Sequence, residues 1–477
     1  MIVSIDGMLS FDAAACGPLL VERLRERLSV PDPVWERASK RARTPRQHER
    51  LARMPSNICA VEEVGARVYL PRGCLGVLRA AAAECGIAIE WDARGVVGLA
   101  PEPMAFDGKL REDQWEAVET ALERRQGLIV APTGAGKTVI GCALVGRIGQ
   151  PAVVVAPTKD IVSQWADELR RFLGLEAGIC ADGRRETEAL VTVGTPDTLA
   201  ALSEAQGNAL AARCALLLWD EVDHGGDRMR EIVNAMPARW RIGLTATPGD
   251  GPKRERLEWL FGPVIYESTH QELAAEGRVL RPRIETVETG WTWDLRAYCE
   301  EHELLDEETG EPPADAWEKA YGPLLDAACE SPERNEAILA LAEREWRAGR
   351  SVLVLSGRVA HCQALAEVLV SRGVEAVALT AKLGRKPRRE AVAALKANTL
   401  RCVCATQLAD RALDVPFLER VVMAFPGRSR RQVVQRIGRA LRPAEKAAPV
   451  VFDLVDDVPL LRGQAAARRR VYKEVFG

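Results

Sequence analysis

The stretch GLIVAPTGAGKTVIGCALVGRI, residues 127–148, decides the fold. A short apolar run ends in a glycine-bearing turn, and the turn opens directly into small and apolar residues suited to a buried helix. Strand, loop and helix in that order make a phosphate-binding element. Gly134 and Gly136 let the backbone N–H groups of Thr133–Gly136, Ala135 among them, turn inward around an anion. Lys137 is placed to reach the β and γ phosphates of a nucleotide as a point charge, and Thr138 to offer its hydroxyl to Mg²⁺. The general pattern opens with Gly, whereas Ala131 stands at that position here.

Outward from this element, apolar runs of about five residues alternate with amphipathic stretches of ten to fifteen. GLIVAP (127–132), AVVVAP (152–157), ALVTVGTP (189–196), ALLLWDE (215–221) and RIGLTATP (241–248) form one set. SVLVLSG (351–357), EAVALT (375–380), RCVCATQ (401–407), RVVMAFP (420–426) and VVFDLV (450–455) form a second. Near-continuous apolar strands separated by helices predict parallel sheets covered on both faces, with ligand chemistry at their carboxyl ends. The fold class expected is α/β: two tandem parallel-sheet domains preceded by a small α+β domain. The divisions read are 1–105 for the accessory domain, 106–285 for the first motor domain, 286–334 for an acidic insertion or linker with helical parts, and 335–477 for the second motor domain.

A second chemical signal lies in LLLWDEVDH, 216–224, where an apolar strand delivers two acids at its tip. Asp220 is expected to hold the Mg²⁺ shell and Glu221 to polarise an attacking water. Adjacent carboxylates repel, and a cation between them and a triphosphate makes the pair tolerable.

Composition bounds the rest. The 477 residues are 47% apolar and 28% charged, the balance of an ordinary globular protein of about three domains. No run of about 18 apolar residues predicts a membrane span, and the acidic N-terminus MIVSIDGMLSFD lacks the basic start of a secretory signal. Twelve scattered cysteines without a CxxC pair read as free thiols in a reducing compartment, so the cytoplasm is expected. The net charge of −3 hides local asymmetry: residues 35–53 carry seven basic and two acidic side chains, and 401–477 fifteen against eight. Residues 291–330, by contrast, hold twelve acids against two basic residues. Basic patches on a near-neutral chain suit a protein that grips phosphates and keeps moving.

From about residue 106 to the end, the chain resembles a superfamily 2 helicase of the DExD/H type. LREDQ (110–114) resembles the element whose Gln, here Gln114, reads adenine, with Arg111 beside it on the nucleotide. PTKDIVSQW (157–165) and GTPDTL (194–199) resemble motifs Ia and Ib, and LTATP (244–248) motif III. ATQLADRALDVP (405–416) and QRIGRALRP (435–443) resemble motifs V and VI. The resemblance implies two RecA-like domains with ATP and Mg²⁺ between them. It implies that Arg439 and Arg442 stabilise charge on the γ-phosphate, that Asp414 and Gln435 contact the nucleotide, and that Asp223, His224, Thr245 and Thr247 couple it to the polymer. Thr158, Thr195 and Thr406 are the candidates for nucleic-acid backbone contacts, with ordinary turn hydroxyls as the competing reading.

Departures from the pattern qualify this. Motif II reads DEVDH, with Asp223 fourth and His224 fifth; Arg411 stands in motif V where relatives often carry an acid; and GDGPKRERLEWLFGP (249–263) lacks the Arg-Glu-Asp element of XPB proteins. QRIGRALRP, LDVP and GLTATP are still more similar to the XPB-like and phage-type DNA branch than to RNA helicases. VYLPRGCLGVLR (68–79) is similar to a segment ahead of the core in some phage and plasmid helicases. The expected function is an ATP-dependent DNA helicase or translocase able to act as a monomer. The alternatives are an RNA helicase, a translocase subunit of a defence complex that never separates strands, and a silent ATP-binding clamp.

Overall fold

Every apolar run quoted from Gly127 onward forms a strand, and every one of those strands is parallel to its neighbours. The computed structural model describes residues 1–42, 44–226, 228–406, 418–427, 437 and 449–477. Motif V beyond Thr406 and nearly all of motif VI, including Asp414, Gln435, Arg439 and Arg442, therefore lie outside the described residues. By its internal contacts the chain divides into two compact units, Met1–Pro132 with Gly136–Ser268 and Thr269–Gly477 with Thr133–Ala135.

The first unit holds two larger sheets. Strands β1 (Ile2–Ile5), β2 (Met8–Asp12), β5 (Glu62–Val64), β6 (Arg67–Pro71) and β7 (Glu90–Asp92) make a mixed sheet in the order β5-β6-β2-β1-β7, while β3 (Ser29–Pro31) and β4 (Asn57–Cys59) pair separately. The second sheet runs β10-β11-β9-β12-β13-β8-β14. Its strands are β8 (Gln126–Val130), β9 (Ala152–Val155), β10 (Gly178–Cys180), β11 (Val191–Gly194), β12 (Leu216–Asp220), β13 (Trp240–Thr245) and β14 (Val264–Glu267). Strands β10 and β14 were not foreseen, because three or four residues such as GIC or VIYE carry too little apolar pattern to read as strands alone. They complete the sheet only because a parallel neighbour supplies the ladder.

Residues 1–105, read as a separate domain, are packed into the first unit. Trp259, from the helix Pro252–Phe261, is buried in the accessory core beside Leu9, Phe11, Val68, Leu70 and Leu78. Arg72 reaches across to Ala238 O at 2.6 Å, and Arg241 of β13 reaches back to Gly7 O at 2.9 Å. Gly73 is demanded by this contact, since a Cβ there would lie 2.2 Å from Glu258 O and 2.5 Å from Trp259 O. Close backbone approach and crossed arginines make one packed body from two sheets.

The second unit is a parallel sheet in the order β15-β20-β19-β16-β18-β17, formed by β15 (Arg283–Glu288), β16 (Val352–Ser356), β17 (Ala376–Leu379), β18 (Cys402–Thr406), β19 (Arg420–Met423) and β20 (Val450–Val455). Strand β15 spans the boundary read at 285/286, so the stretch expected as a linker begins as an edge strand paired with β20. Its continuation is anchored too. Thr289 Oγ1 donates to Asp456 at 2.7 Å, and the guanidinium of buried Arg334 meets the same carboxylate at 2.7 Å. The acids of 291–330 sit largely on exposed positions, while Trp291, Trp293, Trp317 and Leu324 pack against Val458 and Leu461. The acids mark the outer face of this stretch, and the tryptophans and leucine form its inner one. Among the described residues, no helix is long and apolar enough to cross a membrane.

Candidate active site

In a parallel sheet all carboxyl ends lie on one edge. The loops after β8, β9, β11, β12 and β13 therefore share the edge on which the predicted residues of the first unit collect. The loop after β8 turns through two left-handed glycines, Gly134 (φ 91°) and Gly136 (φ 87°), into the helix Lys137–Ile148. Thr133, Gly134 and Ala135 line this turn, and Thr138 sits in the helix's first turn, where N–H groups lack intrahelical acceptors and favour an anion. The Lys137 ammonium folds back onto its own loop, donating to Ala131 O at 2.9 Å and Pro132 O at 3.3 Å.

Gln114 is buried against this loop. Its Oε1 accepts from Arg111 N at 3.1 Å, and a Cβ on Gly136 would lie 2.4 Å from its Nε2. Arg111 is held flat by a two-pronged pairing with Asp113, at 3.1 and 3.0 Å. Gly136→Ala is thus expected to fold but to lower nucleotide affinity about tenfold or more. A side chain in left-handed backbone costs about 1–2 kcal/mol, and here it also displaces the Gln114 amide. Binding of a fluorescent ADP analogue checks this, and affinity within twofold of the parent would refute it.

Asp220 closes β12, and Glu221 follows in left-handed backbone (φ 51°, ψ 54°), an unusual conformation for a residue with a side chain. The Asp220 carboxyl is pushed up to about 6 by burial and then by Glu221, against the opposing pull of the Trp165 N–H and the Lys137 ammonium. Trp165 Nε1 donates to Asp220 Oδ2 at 2.9 Å. Asp223 Oδ1 accepts from the Thr245 hydroxyl at 3.0 Å, and Thr245 Oγ1 in turn accepts from Thr247 N at 3.0 Å, so motifs II and III are joined by a direct hydrogen-bonded chain. His224 Nδ1 stands 3.2 Å from Glu221 Oε2 and 3.7 Å from Asp223 Oδ1.

Hard oxygen donors suit Mg²⁺, and Asp220 and Thr138 supply a carboxylate and a hydroxyl at the same sheet edge. Among the described residues, Thr247 Oγ1 is buried without a hydrogen-bond partner, and Glu221 Oε2 is buried beside His224 Nδ1. Buried oxygens of that kind are the sort a hydrated cation satisfies. The donor set fits the group.

The three threonines expected on nucleic acid have positions but divided duties. Thr158 caps the helix Lys159–Leu173 by accepting from Ile161 N at 3.4 Å. Thr195 caps Pro196–Ala200, accepting from Thr198 N at 3.4 Å and donating to Thr198 Oγ1 at 3.0 Å. Thr406 ends β18 and is buried. In the basic run, Arg46, Arg50 and Arg53 are exposed. Trp165, at the end of the PTKDIVSQW stretch, also reaches this edge through its hydrogen bond to Asp220, a contact not expected from the sequence. Its signal was a lone indole on the apolar face of an amphipathic helix, which sequence cannot tell from core packing.

Comparison with known proteins adds the following. Residues 107–250 match the family described as type III restriction enzyme, res subunit, and residues 333–444 match the helicase conserved C-terminal domain. The chain is 27% identical over 390 residues to a DNA 3'-5' translocase XPB2 of Sulfurisphaera tokodaii, covering 75% of this chain and 84% of that protein. It is 27% identical over 349 residues to a putative DNA 3'-5' helicase Rad25 of Haloarcula marismortui, covering 72% of this chain but 52% of that one. A probable helicase D10 of Escherichia phage T5 is 24% identical over 357 residues, with 72% and 71% covered. Among solved structures, the fold is similar to a fragment of a putative HsdR subunit of a type I restriction enzyme from Vibrio vulnificus (TM-score 0.56, 16% identity, 77% of this chain and 66% of that one). It is also similar to Dbp5 of S. cerevisiae bound to RNA and ADP BeF3 (TM-score 0.55, 15% identity, 77% and 88%).

Proposed function

The chain belongs to superfamily 2 of the DExD/H helicases, close to the XPB-like and phage branch, and on that premise we propose that it hydrolyses ATP to move along or unwind DNA. One observation carries the reading. A phosphate loop, a buried acid and an acid held in left-handed backbone share a single sheet edge, with Gln114 against the loop.

In this reading, the adenine meets the Gln114 amide and the flat Arg111 guanidinium. The triphosphate draws the Lys137 ammonium off its own carbonyls, and the N–H groups of Thr133–Gly136 wrap the anion. Thr138 and Asp220 would hold Mg²⁺, which when bound neutralises phosphate charge. Glu221 orients and deprotonates the attacking water. The Asp223–Thr245–Thr247 chain carries the nucleotide state toward the loops that begin with Thr158 and Thr195, where a strand's phosphates would lie. The family resemblance assigns Arg439 and Arg442 to the γ-phosphate, Asp414 and Gln435 to the nucleotide, and Thr406 to the polymer. Residues 1–105 act as an accessory to the first motor domain, with the exposed arginines of 35–53 as a site for DNA phosphates. A monomer contains every part named.

The test is ATP turnover with no polymer, single-stranded DNA, duplex DNA, forked DNA and RNA. Stimulation by DNA is expected. Stimulation by RNA alone would overturn the DNA assignment, and no turnover with any polymer would revive a silent clamp. The match of residues 107–250 to a restriction-enzyme subunit favours a second reading, a translocase that leaves duplex intact. Strand displacement from a fork, measured beside displacement of a bound protein block, separates the two.

A further inference from the structure

Trp165 lies 55 residues from Asp220 in sequence, yet its indole N–H ends 2.9 Å from one carboxylate oxygen of that acid. Both side chains are buried. The ring is built into place. It comes from the inner face of the helix Lys159–Leu173, where Ile161, Val162, Leu169 and Phe172 are buried with it. It crosses the phosphate-loop helix at Gly141, where a Cβ would stand 2.3 Å from the ring edge and 3.0 Å from Leu218 of β12. Loop helix, motif Ia helix and motif II strand thus meet at one indole.

We propose that Trp165 is a positioning residue for Mg²⁺, holding Asp220 by Oδ2 so that its other oxygen faces the cation. The inference rests on the reading of Asp220 as a Mg²⁺ ligand. The terminal torsion of an Asp is soft, so a carboxylate at a strand tip has no fixed facing of its own. An indole donates one hydrogen bond and carries no charge. It therefore orients the acid without competing with a divalent cation, as a Lys or Arg in the same place would. Outer partners of this kind, which aim a ligand rather than touch the metal, typically change metal affinity or activity by about 10–100-fold when removed. The competing account is that a buried indole N–H must find some acceptor and Asp220 is merely the one at hand. On that account, loss of the N–H disturbs packing but has no special bearing on the cation.

The two accounts part in one experiment. Trp165→Phe keeps a ring over Gly141 and removes the donor. ADP binding is measured by calorimetry in EDTA and then with MgCl2 titrated in, beside the Mg²⁺ dependence of ATP turnover. Positioning predicts a rise of about tenfold in half-saturating Mg²⁺ for both readouts, with ADP affinity in EDTA within twofold of the parent. In an Asp220→Asn background, Trp165→Phe should then add nothing to the Mg²⁺ dependence. An unchanged Mg²⁺ midpoint, or equal loss with EDTA and with Mg²⁺, overturns the proposal. Should W165F lower the denaturation midpoint, the ratio of the two affinities on the folded fraction still decides. If the parent itself shows no Mg²⁺-dependent nucleotide binding, the ATPase reading fails instead.

Discussion

Glu221→Gln is expected to cut ATP turnover by about 10²–10⁴-fold while leaving Mg²⁺-ATP affinity within about threefold of the parent, since positioned proton transfer contributes on that scale. The substitution is close to isosteric, so the left-handed turn (φ 51°) has the same shape to accommodate. What changes is the base. An amide accepts a hydrogen bond from water but does not take its proton. Asp220 should be spared, and the removal of a neighbouring negative charge relieves a repulsion that raises its carboxyl. Steady-state hydrolysis with forked DNA, beside equilibrium binding of a fluorescent ATP analogue, makes the measurement. Turnover near the parent rate would place the base elsewhere, with Asp223 and His224 next in line because both face the same turn. Loss of binding and turnover together would mean Glu221 holds the loop rather than the water.

Arg241→Ala is expected to lower the stability of the first unit by about 3–5 kcal/mol, a large loss for a single site. The guanidinium is fully buried and donates to Met236 O at 2.8 Å, Gly7 O at 2.9 Å and Leu260 O at 3.3 Å. Each carbonyl left buried without a donor costs about 1–3 kcal/mol. One effect opposes this: burial and the nearby Arg72 push the Arg241 pKa well down, so deleting the cation recovers some desolvation energy. Three orphaned acceptors and a cavity outweigh that recovery. Arg241→Lys should rescue only in part, because a single ammonium cannot span the three directions a guanidinium fork serves. Denaturant unfolding followed by tryptophan fluorescence reads the loss, and limited proteolysis shows whether residues 1–105 release from the motor sheet. A change under about 0.5 kcal/mol, the range of an ordinary surface substitution, would show that the crossed arginines are ornamental.

Much of the candidate site is legible in the sequence because its signals are local. Lys137, Thr138 and the two glycines lie within five residues, and their spacing alone matches the pattern of a phosphate loop. Asp220 and Glu221 end an apolar run long enough to be a buried parallel strand, and five such runs in each half announced two sheets. Periodicity and adjacency survive in a linear string.

The rest depended on contacts between residues far apart in the chain. Arg241 meets Gly7 across 234 positions, and that pairing ties the N-terminal sheet to β13 within the first unit. Strand β15 belongs to the second sheet only because β20, some 167 residues later, offers it a parallel ladder. Asp223 finds Thr245, and Trp165 finds Asp220, through the order β9-β12-β13 that no local pattern specifies. A buried arginine, an indole or a three-residue strand has no meaning until its acceptor or neighbour is known, and burial, not composition, chooses which groups must find partners.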